Sequence, residues 1–315
     1  MRYRTDGIVS HDTLRRVRRG TYSIVARDPQ TGEVGVGVQS HWFSVGSVVS
    51  WARPGVGAAA TQSIADPSYG PRALELLADG AEPADALARL VAEDPRAHVR
   101  QVAVVDSSGR VAVHTGERCI AFAGHQTGDG YSVQANMMAS EAVWPAMAEA
   151  FESAEGPLAR RLLAALGAAE GAGGDVRGRQ SAAIVVAPAD GEPWRKSVDL
   201  RVEDHPEPLH EIGRLLDLAD AYRLASEGDD LVGSGRHEEA AERYKRAARL
   251  APDNDELLFW SGLAAAQGGD VQTALDRVRR AIEVRPGWQE LLDRLQPDIA
   301  PAAPKLRQML RDAGC

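Results

Sequence analysis

Apolar positions follow a two-residue rhythm in the first part of the chain and a three-to-four-residue rhythm in the last. Ile24, Val25 and Ala26, then Val34, Val36 and Val38, flank Asp28-Pro29-Gln30-Thr31-Gly32, and this predicts an antiparallel hairpin closed by a Pro/Gly turn. The small-residue run Gly55 to Ser63 predicts a further strand. Leu74, Leu77, Leu87, Leu90 and Val91 then recur at helical spacing, with Gly80 ending one helix and Pro83 starting the next. Residues 100–116 hold two alternating runs around Ser107-Ser108-Gly109, a second hairpin, and the stretches Cys119–Gly124 and Gly130–Met138 predict two more strands. Helices over 140–154 and 157–170 follow, then strands over 181–189 and 196–202.

The order is strands, two helices, strands, two helices, strands. Two facing sheets, each covered by one helix pair, would bury all of these apolar faces, so the pattern predicts an α+β fold: a four-layer αββα sandwich. Irregular alternation weighs against a doubly wound parallel sheet, and the helices weigh against a plain β-sandwich.

Beyond residue 205 the pattern is helical throughout. Leu224, Gly228, Gly235, Ala240, Ala247 and Pro252 reappear 34 residues later as Leu258, Gly262, Gly269, Ala274, Ala281 and Pro286. That period and those small residues resemble tetratricopeptide helical hairpins, with Tyr244 and Val278 at the large-residue position. Helices near 206–222 and 302–313 are expected to flank the two repeats, since two alone do not close a stack. The expected organisation is a basic arm at 1–20, an αββα domain at 21–205 and an all-α helical-repeat domain at 206–315. A groove over residues 221–286 would suit a protein or peptide partner; the plainer alternative is a structural appendage.

Length agrees, because 315 residues exceed one core of roughly 100–200 residues. The net charge is -9, yet residues 1–20 carry +4, from six Arg against Asp6 and Asp12, so an acidic body follows a basic start. An acidic body argues against nucleic acid as a partner. No run approaches the roughly 18 apolar residues that cross a bilayer, and the first twenty hold no apolar signal stretch, so no membrane partner and a cytoplasmic location are expected. Cys119 and Cys315 are the only cysteines and set no disulfide framework; with dispersed histidines, neither a metal nor any other cofactor is expected.

Polar residues interrupt the apolar rhythm near strand ends: Gln39, Ser40 and His41; Thr61, Gln62 and Asp66; Gln134 and Asn136; and Asp175, Arg177, Arg179, Gln180 and Ser181 ahead of a buried-looking strand. Groups of this kind beside a core need partners, either one another or a ligand.

The stretches "TYSIVARDPQTGEVGVGVQS" at 21–40, "WARPGVGAAATQS", "YGPRALELL", "RQVAVVD", "HTG", "GHQTGDGYSVQANMM" and "RGRQSAA", in that order, resemble the domain of unknown function 1028 family, grouped with the N-terminal nucleophile hydrolases. The resemblance covers about two thirds of the chain. It implies the αββα fold but no proven reaction. In the wider superfamily a first-residue Thr, Ser or Cys attacks an amide carbonyl while its own α-amine takes the proton.

On that resemblance Thr21 becomes the nucleophile of a hydrolase acting on a small-molecule amide or peptide-like C–N bond, once residues 1–20 are removed. Autoprocessing at Gly20-Thr21 is one route to that free amine, whose ordinary pKa of about 7.7–8 suits a base near neutrality. Asn136 is the expected oxyanion donor. Gln39, His41, Thr61 and Gln62 are expected to line the substrate, and Arg177 or Arg179 to hold an anionic group through paired hydrogen bonds. The alternative role for Thr21 is that of a β-branched residue opening a strand, and the alternative to an enzyme is a non-catalytic ligand-binding or scaffold protein on the same fold. Assembly into a homo-oligomer through helix layers is a further expectation.

Overall fold

The computed structural model describes residues 20–312. The basic arm expected over residues 1–20 lies, apart from Gly20, outside the described residues, as does Cys315. Two compact units divide between Gly213 and Arg214.

The first unit is mixed α/β with two antiparallel sheets. Six strands form one: β1 (Thr21–Arg27), β2 (Val34–Ser40), β7 (Gly124–Gly128), β8 (Tyr131–Asn136), β9 (Ser181–Ala187) and β10 (Val198–Val202), in the order β10-β9-β2-β1-β8-β7. The other holds β3 (Ser50–Arg53), β4 (Gly57–Ser63), β5 (Arg100–Asp106) and β6 (Val111–Thr115), in the order β3-β4-β5-β6. Valines 25, 36, 38 and 185 of the larger sheet share one buried core with Ala58, Ala60, Ala103 and Val105 of the smaller. Each fully buried Val contributes roughly 1.5–3 kcal/mol by leaving water, so this shared face holds the sheets together.

Helices cover the faces turned away from that core. Tyr69–Ala78 and Pro83–Glu93 bury Ala73, Leu74, Leu87 and Leu90 against Ala59, Val102 and Val104, the positions that alternate with Ala58, Ala60 and Ala103. Leu158–Gly171 follows Val143–Ser153 and lays Leu162 and Leu166 against the outer side of β2, where Gly35 and Gly37 leave room for them.

Two segments differ from the pattern expected of them. Cys119 to Ala123 is not a strand; the strand begins at Gly124. The carbonyls of Ile120 and Phe122 accept from Met137 and Met138 N–H, so this segment is held beside the end of β8 as an irregular strap. The flanking helix expected over 206–222 is continuous with the first repeat helix as Pro208–Gly233. The short helix Gly46–Val49, strand β3 and the helix Gly287–Arg294 carry no periodic signal long enough to predict them.

The second unit is helical, with His237–Leu250, Asp255–Gln267, Val271–Val284, Gly287–Arg294 and Ala303–Asp312 after the long helix. Asn254 and Asp270 cap their helices by accepting from Leu257 N at 2.9 Å and Thr273 N at 3.1 Å. Close approach explains the repeated glycines: a Cβ on Gly228 would meet Tyr244 at 2.8 Å, and one on Gly262 would meet Val278 at 2.7 Å. Glycine and its large partner are each displaced by the same 34-residue step. Gly262→Ala is therefore expected to cost about 1–3 kcal/mol by overpacking, and Val278→Ala in the same chain to restore part of it. Thermal unfolding of the four variants reads this; equal stability of wild type and Gly262→Ala would contradict the contact.

Candidate functional site

Along the face between the sheets, side chains change from apolar to polar toward one end. Val25 gives way to Ser23 and Thr21 on β1, Val38 to Ser40 on β2, Ala60 to Gln62 on β4 and Ala103 to Gln101 on β5, while β8 contributes Ser132, Gln134 and Asn136. The register sets Thr21 opposite both Ser40 and Asn136, and Gln62 opposite Gln101. All of these polar residues are buried.

Their side chains satisfy one another. Gln62 Nε2 lies 2.8 Å from Gln101 Oε1, 3.1 Å from Gln134 O and 3.3 Å from Thr21 O. Gln62 Oε1 accepts from Ser23 Oγ at 2.7 Å, and Gln134 Nε2 donates to the same Ser23 oxygen at 2.6 Å. Gln101 Nε2 reaches Thr115 Oγ1 and Ala135 O at 3.0 Å and Gly124 O at 3.1 Å. Thr115 accepts there, so its hydroxyl proton is free for His125 Nδ1 at 2.9 Å. That bond requires a neutral imidazole, and burial, with His114 nearby, holds the His125 pKa below its ordinary value.

Thr21 heads β1 beside a second cluster. Its Oγ1 donates to Ser40 Oγ at 3.1 Å, and Ser40 Oγ in turn donates to the carbonyl oxygen of Gly20. Arg177 Nη2 donates to that same oxygen at 2.8 Å. Asp175 fixes the guanidinium: its Oδ1 accepts from Arg177 N at 2.9 Å and Nε at 3.1 Å, and its Oδ2 from Nη2 at 2.7 Å and from His41 N at 3.2 Å. A left-handed residue, Met137 with φ of 58°, ends β8 just after Asn136 and turns the chain so that Met138 bridges Asp175. Asp175 itself lies between the helix Leu158–Gly171 and β9, and that bridge ties its backbone to the turn that ends β8, beside the head of β1.

Thr21, Asn136, Gln62 and Arg177 lie together around the Gly20 and Thr21 carbonyls, with His41 touching the group through its backbone. Asn136 does not reach the Gly20 carbonyl: its Nδ2 lies 3.3 Å from Thr21 O and 3.1 Å from Gln101 Oε1, and its buried Oδ1 has no partner among the described residues. Gln39 shares its face with Tyr22 and so points away from Thr21; it is fully buried, with neither amide atom partnered among the described residues. Thr61 also faces away and donates to Asp66 O at 3.1 Å. Arg179 pairs with Glu170 at 2.5 Å and with Glu207 on the outer side. Glu170 also accepts from Tyr22 Oη, and burial together with that carboxylate raises the phenol's pKa well above its ordinary range. Period-2 alternation decides these positions: neighbours such as Gln39 and Ser40 point to opposite faces, and only one of each pair can serve.

Ser40 and Asp175 stand among the polar residues that interrupt the apolar rhythm, but the sequence assigns them no role in the site, and it does not single out Gln101. Ser40 was within reach, since it continues the inward series Val34, Val36, Val38. Asp175 and Gln101 required the turn geometry and the inter-sheet register.

Among the described residues no group of three or more His, Cys, Asp or Glu could hold a metal, and no helix is long and apolar enough to cross a membrane.

Fold and site together define a two-unit protein: a mixed antiparallel domain with a buried Thr at the head of a central strand, followed by a helical-repeat region. The chain belongs to the family of unknown function DUF1028, which matches residues 21–212, more than half its length. A tetratricopeptide repeat family matches residues 226–289, a module with capacity for protein interaction. No curated protein matches. Among solved structures, the crystal structure of protein SPO2555 from Silicibacter pomeroyi, of the same family, is similar at 35% identity and a TM-score of 0.58, over 62% of this chain and 88% of that one.

Two glutamine substitutions are expected to act in opposite directions. Gln101→Leu removes the acceptor shared by Gln62 and Asn136 and leaves those buried amide N–H groups short of a partner, so a loss of about 3 kcal/mol or more is expected. Gln39→Met removes two unpartnered buried polar atoms and is expected to be neutral or stabilising. Urea unfolding measures both, and equal losses would contradict the hydrogen-bond assignment.

Proposed function

We propose that this chain is an N-terminal nucleophile hydrolase of a small amide or peptide-like C–N bond, with Thr21 as nucleophile once residues 1–20 have been removed. The shared core between two sheets, with a helix pair on each outer face, supports reading the first unit as the four-layer αββα sandwich of that class. One observation carries the functional reading. The Gly20 carbonyl oxygen, where negative charge would develop if Thr21 Oγ1 attacked, already accepts from Arg177 Nη2 at 2.8 Å and from Ser40 Oγ, and Ser40 Oγ accepts from Thr21 Oγ1 at 3.1 Å. Two fixed donors on a developing oxyanion are worth far more in a water-excluded site than in solvent.

The step balances as follows. Thr21 Oγ1 bonds to the Gly20 carbonyl carbon, its proton passing to Ser40 as Ser40 releases its own toward the carbonyl oxygen. The carbonyl re-forms as the C–N bond breaks and the proton moves to nitrogen, leaving Gly20 esterified to Thr21 and a free α-amine. Water then splits the ester, releasing the Gly20 carboxylate and restoring the Thr21 hydroxyl. In turnover a substrate amide takes the place of the Gly20 peptide. The α-amine accepts the Thr21 proton and delivers it to the leaving nitrogen. Asn136, which lies against Thr21 O, acts in this reading by holding the nucleophile's backbone.

Purified full-length protein is expected to lose residues 1–20 on incubation, read by intact mass, and Thr21→Ala protein to stay whole while keeping its thermal stability within about 1 kcal/mol. A wild-type chain that stays whole under the same conditions would overturn the reading in favour of the non-catalytic ligand-binding or scaffold alternative. Arg177→Met is expected to slow cleavage by roughly 100- to 1,000-fold, the usual effect of removing one oxyanion donor.

A further inference from the structure

We propose that the acyl subsite of this protein takes glycyl groups and other acyl groups whose α-carbon carries no L side chain, so that its substrates are amides of the glycyl type. The inference rests on Thr21 acting as the nucleophile. Self-cleavage and substrate turnover then form the same bond, an ester between an acyl carbon and Thr21 Oγ1, so the place held by Gly20 is the place of the substrate's acyl group. Gly20 in this structure is its internal stand-in.

The walls of that place are specific. Arg177 Nη2 and Ser40 Oγ hold the carbonyl oxygen. An L-configured Cβ on Gly20 would lie 2.7 Å and 2.8 Å from the two oxygens of Asp175 and 2.9 Å from its Cγ, well inside contact distance. Asp175 has no room to withdraw. Its side chain is fully buried, it accepts four hydrogen bonds from Arg177 and His41, and its backbone is tied by the bridge to Met138 and by Gly178 N donating to its carbonyl at 2.9 Å. Moving the carboxylate would also release the guanidinium that holds the carbonyl oxygen. A branched acyl group must therefore either clash with Asp175 or lose the oxyanion donor, and both slow attack.

The full chain tests this in two ways. In cis, Gly20→Ala protein is expected to cleave at the 20–21 bond roughly 10- to 100-fold more slowly than wild type, followed by intact mass. The thermal midpoints of Thr21→Ala and Gly20→Ala/Thr21→Ala chains report whether the alanine is tolerated by the fold. In trans, protein that has processed itself is expected to hydrolyse acetylglycine 4-nitroanilide at least about tenfold faster than acetyl-L-alanine 4-nitroanilide, a comparison that requires no variant. Equal cleavage of Gly20→Ala protein, equal rates on the two anilides, or turnover of neither by processed protein would overturn the proposal and leave the Thr21 reading standing. A wild-type chain that never cleaves removes the Thr21 reading itself, and this proposal with it.

Discussion

Four side-chain amides, Gln62, Gln101, Gln134 and Asn136, lie between two sheets where water does not reach, and their need for partners governs this end of the domain. An unpartnered buried amide costs about 1–3 kcal/mol, so the sheets must face each other in a register that lets these groups meet. Further along the same strands the inner face is Val and Ala, which would tolerate small slips. The polar end fixes the register and the apolar end holds the sheets together.

That division of labour is what allows Thr21 to be both buried and oriented. Gln62 and Asn136 reach its carbonyl from two different sheets, and Ser40 reaches its hydroxyl from the neighbouring strand. The Asp175–Arg177 pair adds the charged component. A surface ion pair contributes little, but this carboxylate is buried and aims a guanidinium at one carbonyl oxygen, so its geometry matters more than its net energy. Gly20 belongs to the same construction, since a larger residue would meet that carboxylate. On the proposed chemistry, one set of contacts both prepares the bond before Thr21 and shapes the space that a substrate would enter.

The helical unit follows a different logic. Its contacts are local and repeated, each repeat placing a glycine under the large residue of the next helix, Gly228 under Tyr244 and Gly262 under Val278. The glycines lower intrinsic helix propensity, and the close helix packing they permit offsets it.

These two logics account for what could be read in advance. The 34-residue repeat, the paired helices and most strands were legible, because each depends on spacing within one segment. The family resemblance had singled out Thr21, Asn136 and the Arg177 stretch. The outward face at Gln39 was within reach of the same rhythm that points Ser40 inward, but the face at Thr61 was not legible, since the small-residue run Gly57–Ser63 has no alternation to fix it. Arg179 shows the same limit from the charged side: it stands two residues from Arg177, yet it is drawn to Glu170 on the helix Leu158–Gly171 and to Glu207 beyond β10. The sequence by itself determined most of the elements, the repeat and the candidate nucleophile. Only the tertiary structure decided which polar side chains meet, because Asp175 comes to Gly20 from the segment ahead of β9, bridged to the turn after β8, and Gln101 reaches Asn136 across the gap between sheets. Contacts between segments so far apart in the chain depend on packing, which no local spacing encodes.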